Sequence, residues 1–197
     1  MWKKRLPAYI IDMIVVTIII NIFGLMFPKW VELENKSQEE LNNIFLKQTD
    51  NGEVLTDEAF NIIIEKSASS IQEYDKEIII YKGLEIMIIF GYFVILPLCM
   101  NGQTLGKKLF KIRVKAEDNR LTYKHLIIRT LLITDLGVLV LTSLFVYILP
   151  TLSYFIVKDV LALAEFIILI ISFIKIVRNE KHLGLHDILA KTEVVEI

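Results

Sequence analysis

The sequence predicts an all-α membrane protein, a bundle of four transmembrane helices with a helical hairpin inserted between the first two spans. Three observations predict it. Side chains are 54% hydrophobic and the mean hydropathy is +0.55, above the about 45–50% apolar content of an ordinary soluble domain. Four apolar runs reach the about 20 helical residues needed to cross a ~30 Å hydrocarbon core. The segments between those runs alternate in charge.

Composition also excludes several classes. The net charge of −1, from 22 basic and 23 acidic residues, is not that of a generally basic nucleic-acid binder, so no nucleic-acid partner is expected. Cys99 is the single cysteine, which excludes an intrachain disulfide framework and a cysteine-based metal cage. Three histidines leave little material for a histidine site. No metal and no cofactor is expected.

The first span is read at about 7–27, PAYIIDMIVVTIIINIFGLMF. Lys3, Lys4 and Arg5 precede it as they would a secretory signal, but no small-x-small cleavage site follows and Asp12 interrupts the apolar stretch early. It is therefore a retained span, and 1–197 forms one membrane domain.

Residues 28–77 form the inserted segment. Ser37-Gln-Glu-Glu40 reads as a capping box, followed by Leu41, Ile44 and Phe45 on one face. Thr49-Asp-Asn-Gly52 reads as a turn. Thr56 then caps a second helix with Phe60, Ile63, Ile64 and Ile71 along an apolar stripe, running on towards the second span. The hairpin either caps the mouth of the bundle or serves as a partner-binding ectodomain. Asn35-Lys-Ser37 fits a glycosylation sequon, a triplet common by chance.

The second span is read at about 78–100, the third at about 130–149 and the fourth at about 159–177. Between the second and third lies NGQTLGKKLFKIRVKAEDNRLTYKHLIIR (101–129). Its Gly102, Gly106 and Lys107 imitate a phosphate-binding loop, but the glycine spacing is one residue short and Lys108 stands where Ser or Thr is required. LFKIRVKA (109–116) alternates as a strand, with Glu117–Arg120 as its turn, and the tail TEVVEI (192–197) could pair with it.

Loop charge sets the expected orientation. The N-terminus is basic, and 101–129 carries eight basic residues against two acidic ones, whereas 28–77 carries five lysines against twelve acids. Basic loops stay in the cytoplasm, so both termini and 101–129 are expected inside, with 28–77 outside.

Charges inside spans are where function concentrates, because each is costly unless paired or hydrated. Asp12 and Asp135 each lie about five residues into their spans, and Glu85 and Glu165 about six to seven from the outer ends of theirs. The rise of ~1.5 Å per helical residue then places the acids at two levels, an inner pair (Asp12, Asp135) and an outer pair (Glu85, Glu165). Either local cations neutralise them, Asp12 through Arg5 or Arg129 and Glu85 through Lys82, or they form a path for protons or cations. No nucleophile or metal motif supports catalysis, so an enzyme is not expected.

RLPAYIID (5–12), NGQTLGKKLFKIRV (101–114), Arg129 and HLGLHDILAKT (182–192) together resemble the RDD family of bacterial membrane proteins. The resemblance assigns the family's signature arginine to Arg5 and its two aspartates to Asp12 and Asp187. It assigns the Gly-x-Thr-x-Gly-Lys stretch to Gly102, Thr104, Gly106 and Lys107. It covers most of the chain apart from 28–77. Lys191 departs from the family pattern, which has glycine there. The resemblance implies a multi-pass bacterial inner-membrane protein that transports some ligand, sodium/proton exchange having been attributed to some members. Arg5, Asp12, Arg129 and Asp187 are expected to meet in one charged cluster at the inner membrane edge. His186 is either a proton-handling partner of Asp187 or a surface or cap residue. The expected surroundings are the lipid bilayer and a small cation, sodium or proton. The alternative is a scaffold or protective subunit, bound to a second copy or to another membrane protein.

Overall fold

The computed structural model describes residues 2–49, 56–118, 120–178, 180 and 182–197. The order along the chain is α1 (Trp2–Leu25), α2 (Pro28–Thr49), α3 (Asp57–Glu77), α4 (Ile79–Phe90), a π-helical turn (Gly91–Ile95), α5 (Leu96–Cys99) and α6 (Leu105–Leu109). There follow β1 (Ile112–Ala116), α7 (Tyr123–Ile133), α8 (Leu136–Ile148), α9 (Thr151–Arg178), α10 (Leu185–Leu189) and β2 (Thr192–Glu196). The all-α class holds, with one two-stranded sheet added.

Three helical stretches among the described residues are long and apolar enough to cross a membrane: Lys3–Leu25, Ile79–Cys99 and Thr151–Arg178. The expected third span is not one helix. α7 and α8 meet at 80°, and only the bent pair together makes a fourth crossing. Thr134 adopts an extended backbone there (φ −131°, ψ 163°), and its hydroxyl back-bonds to the Thr130 carbonyl at 2.9 Å, which favours a helix end over continuation. The fourth span starts earlier than 159, because α9 begins at Thr151.

The apolar composition is used on both sides of the helices. Val16, Ile89, Tyr92, Phe93 and Leu136 pack into one buried cluster. On the outer face of α1, Ile10, Ile14, Ile18 and Ile22 repeat every four residues and stay about half exposed, a stripe suited to lipid.

α2 and α3 pack against each other, and Ser70 donates to Glu40 at 3.1 Å. Thr56 caps α3 by accepting from the Ala59 N–H at 3.2 Å. The Ser37 capping box does not form, since α2 already starts at Pro28 and Ser37 is a buried interior residue. A proline at the first helical position costs no hydrogen bond. The turn expected at 49–52 lies outside the described residues, as does Asn119 of the turn expected at 117–120. α3 passes into α4 through Ile78 alone.

β1 and β2 pair antiparallel, Ile112 opposite Glu196, Val114 opposite Val194 and Ala116 opposite Thr192. Each strand completes the same small unit: a five-residue helix, a turn and a five-residue strand. Lys111 and Lys191 hold the equivalent turn position with φ of 55° and 49°. The turns share their hydrogen bonds, Lys111 N–H to the Lys108 carbonyl and Lys191 N–H to the Ile188 carbonyl, both 3.2 Å. The carbonyl of each turn lysine accepts from just beyond the other strand, Lys111 from Ile197 and Lys191 from Glu117. The two units are thus related by a local two-fold axis through the Val114–Val194 pair.

Candidate functional site

Asp12 lies in the third turn of α1 and is fully buried. Four donors converge on its carboxylate. Tyr92 Oη donates to Oδ1 at 2.7 Å, the Gly106 N–H to Oδ1 at 2.8 Å and the Thr104 hydroxyl to Oδ2 at 2.5 Å, with Lys107 Nζ at 3.4 Å from Oδ2. The π turn aims Tyr92, consistent with the tendency of such irregularities to fall at sites.

The 102–107 stretch is built for that grip. Gly102 has φ +86° and a Cβ there would lie 2.0 Å from the Val114 carbonyl oxygen. Gly106 lets α6 touch α1, since a Cβ would meet the Ala8 carbonyl oxygen at 2.2 Å and Asp12 Oδ1 at 2.8 Å. Thr104 both caps α6 and donates to Asp12. Burial lowers the Lys107 ammonium to about 8, against the opposing pull of Asp12. The Walker-like spacing is therefore a carboxylate clamp.

Asp187 forms a second centre. It too is fully buried, and binds Arg5 Nη1 at 2.8 Å, Arg129 Nη1, and the Gly184 N–H at 2.9 Å. Burial opposes its ionisation, yet the guanidiniums of Arg129 and Arg5 hold the carboxyl below the usual range. Beside it, His186 is buried, and burial with the Arg129 charge lowers its ring to about 3. The Ser172 hydroxyl accepts from the Leu185 N–H at 3.1 Å and shares a hydrogen bond with His186 Nδ1 at 2.6 Å. The other ring nitrogen, Nε2, lies 3.5 Å from Asp187 Oδ2. His186 is neither a surface residue nor a group that titrates near neutrality.

The expected single cluster is therefore two adjoining centres. Arg5 and Arg129 pair with Asp187 and not with Asp12, whose cation is Lys107. The physical reason is reach: α6 lies directly against α1 at Ala8 and Asp12, so the 102–107 loop supplies three of the four donors on that carboxylate and Tyr92 the fourth.

Asp135 sits at the α7–α8 bend, exposed. Its charge acts on Glu85, Glu165 and Tyr9, and the Tyr9 hydroxyl donates to the Ile133 carbonyl at 2.7 Å beside the bend. Asp135 thus acts electrostatically on both glutamates and also on Tyr9, three residues before Asp12 on α1. The depth estimate assumed a straight third helix, and the 80° bend removes that assumption. None of these three acids has an ion pair among the described residues. Lys82 binds Asp75 at 2.8 Å and only faces Glu85 electrostatically. Nor do any three His, Cys, Asp or Glu side chains among the described residues gather closely enough to hold a metal ion.

Asp75 escaped the sequence reading. It is 2% exposed and binds Lys82, Lys158 Nζ at 2.6 Å and Tyr154 Oη at 2.5 Å. Burial opposes its ionisation, but Lys158 and Lys82 hold its carboxyl below the usual range. One helical turn earlier, Gln72 donates to the Val146 and Leu149 carbonyls and accepts from Thr151, closing the end of α8. A signal was present: Ile63, Ser67, Ala68, Gln72 and Asp75 recur at helical spacing and all are buried, a face that the more apolar residues of the segment mask.

Membrane-length apolar helices, lipid-suited outer faces and ionic clamps at one end define a multi-pass membrane protein. The chain belongs to the RDD family, whose model matches residues 1–191. No curated protein and no solved structure matches it. Arg5, Asp12 and Asp187, assigned by resemblance, are the residues around which both centres are built.

Proposed function

We propose that the protein moves a small cation, a proton or sodium, across a bacterial inner membrane, by way of Asp135, Glu85 and Glu165. One observation supports this reading: three acidic side chains in or beside the membrane-length helices, with Asp135 at the helix break acting electrostatically on both glutamates, and no ion pair to any of them among the described residues. A carboxylate in that setting is costly unless it serves a ligand or a proton. Because the three do not converge on one point, they act in series, each passing on a single ion or proton.

Asp12 is left out of the path. Its lone pairs are taken by Tyr92, Thr104, Gly106 and Lys107, so it serves the fold. In the orientation that loop charge favours, the termini, α6, α10 and the sheet lie inside, with α2 and α3 outside. No chemistry beyond ion movement is proposed for the chain.

A scaffold role is the second reading, favoured by the Asp75 lock, which fixes α3 rigidly to α4 and α9 as a presented surface would require. Sodium-dependent proton release from liposomes holding the purified protein separates the two. Transport predicts flux that Asp135→Asn abolishes without lowering thermal stability. Absence of flux from well-folded protein supports the scaffold.

A further inference from the structure

A cavity of about 360 Å³ opens beside the Asp187 centre, within the size range of small-molecule sites. Arg5, Lys107, Arg129 and His186 line one end of it. Leu169, Ile170, Phe173 and Ile176 of the membrane-spanning α9 form an apolar wall.

The polar end is not balanced. At neutral pH three cations, Arg5, Lys107 and Arg129, accompany two carboxylates, Asp12 and Asp187, and His186 is neutral. One positive charge is left over. Glu193 on β2 is the weakest of the charges acting on Arg5 and is not part of the cavity wall. Arg5 is itself 8% exposed, and its Nε and Nη2 are buried without any hydrogen-bond acceptor. Buried charged donors without acceptors are rare and costly, and a guanidinium fork suits an oxyanion.

We propose that this cavity binds a singly charged anionic amphiphile, its phosphate or carboxylate on Arg5 and its alkyl chain along α9. The excess charge specifies one negative charge, the two acceptor-less nitrogens of Arg5, which lie under the cavity lining and meet an oxygen once the side chain shifts, specify an acceptor, and the α9 wall specifies a hydrocarbon tail. Two sources share that chemistry: an acidic phospholipid of the bilayer and a single-chain fatty acid. The site is separate from the acids around Asp135, so its occupancy does not depend on whether the protein transports.

Full-length protein in phosphatidylcholine nanodiscs containing a small fraction of phosphatidylglycerol, read by native mass spectrometry after release, tests this. One phosphatidylglycerol is expected to stay bound, with at least about tenfold preference over phosphatidylcholine. Displacement by oleate assigns the site to single-chain acids, and resistance to oleate assigns it to the phospholipid. Both Arg5→Lys, which removes the forked donors, and Ile170→Trp, which fills the wall and touches neither carboxylate, are expected to abolish the preference. Should Arg5→Lys fail to fold, Ile170→Trp decides. Equal retention of both lipids, an undiminished preference in Ile170→Trp, or inorganic phosphate competing as well as the lipid would overturn the proposal.

Discussion

Lys107 and Asp187 occupy the same position in two copies of one helix–turn–strand unit, with opposite charge. Lys107 is the third residue of α6 and Asp187 the third of α10, and the units are related by the two-fold axis through Val114 and Val194. Both grip α1: Lys107 reaches Asp12, and Asp187 reaches Arg5 seven residues earlier, almost two helical turns away. α1 thus offers an acid to one unit and a base to the other. The arrangement fixes the rotation of α1 about its axis more tightly than one pair would.

That relationship predicts the consequence of removing one member. Asp187→Ala strands Arg5 and Arg129, both buried, facing each other without a counter-ion. Breaking a buried pair this way typically costs about 3–5 kcal/mol. Thermal unfolding in detergent should show that loss, larger than for Lys4→Ala, whose pair with Glu196 is exposed.

Acid should weaken the same end of the bundle. The unfolded chain protonates His186 near its ordinary 6.5, whereas the folded ring resists until about 3. Through that window the unfolded state binds more protons, so stability falls as pH drops, by about 1.4 kcal/mol per unit. Asp187, held low in the fold, adds to the loss once pH passes below its ordinary 3.8. The midpoint of unfolding should therefore decline from pH 6.5 downwards and steepen below 4. His186→Gln, which cannot take up a proton, should flatten the upper part of that decline.

Lys191 sits at φ +49°, where a side chain clashes and glycine does not. The left-handed conformation costs a non-glycine residue roughly 1–2 kcal/mol, partly offset by the greater freedom of glycine when unfolded. Lys191→Gly should stabilise the protein by about 1 kcal/mol, and Lys111→Gly, at φ 55°, should do the same at the equivalent turn. Denaturant or thermal midpoints of the two variants and the double variant check this.

Asp75→Asn should loosen α3 from α4 and α9. It leaves Lys82 buried without a counter-ion and weakens the hold on Lys158. A loss of about 3 kcal/mol or more is expected, together with faster hydrogen exchange in α3. The transmembrane helices themselves should exchange as before.

The apolar runs and loop charges made the spans legible, because a membrane demands about 20 apolar residues in a row whatever the packing. The break at Thr134 was not legible. TLLITDLGVLVLTSLFVYIL reads as one run, and only the back-bonding threonines hint at a helix end. The depth expected for Asp135 rested on that unbroken helix. The partners of Asp12 were hidden for a different reason: Tyr92 and Thr104 are 80 and 92 residues away, and only tertiary contact brings them together. The small sheet was legible from alternation in 109–116 and 192–197, although the equivalence of the two units was not, since only two Leu, one Lys and one Val recur at matched positions.

The most direct test of the proposed division of labour is carbodiimide labelling of the purified protein, mapped by mass spectrometry with and without sodium. Carboxyls that serve a cation or proton react when protonated and are protected when sodium binds, whereas clamped carboxylates do neither. Labelling is expected at one or more of Asp135, Glu85 and Glu165, slowed by sodium, with Asp12 and Asp187 unmodified. Sodium-insensitive labelling of all three, or reaction at Asp12 ahead of them, would contradict the account.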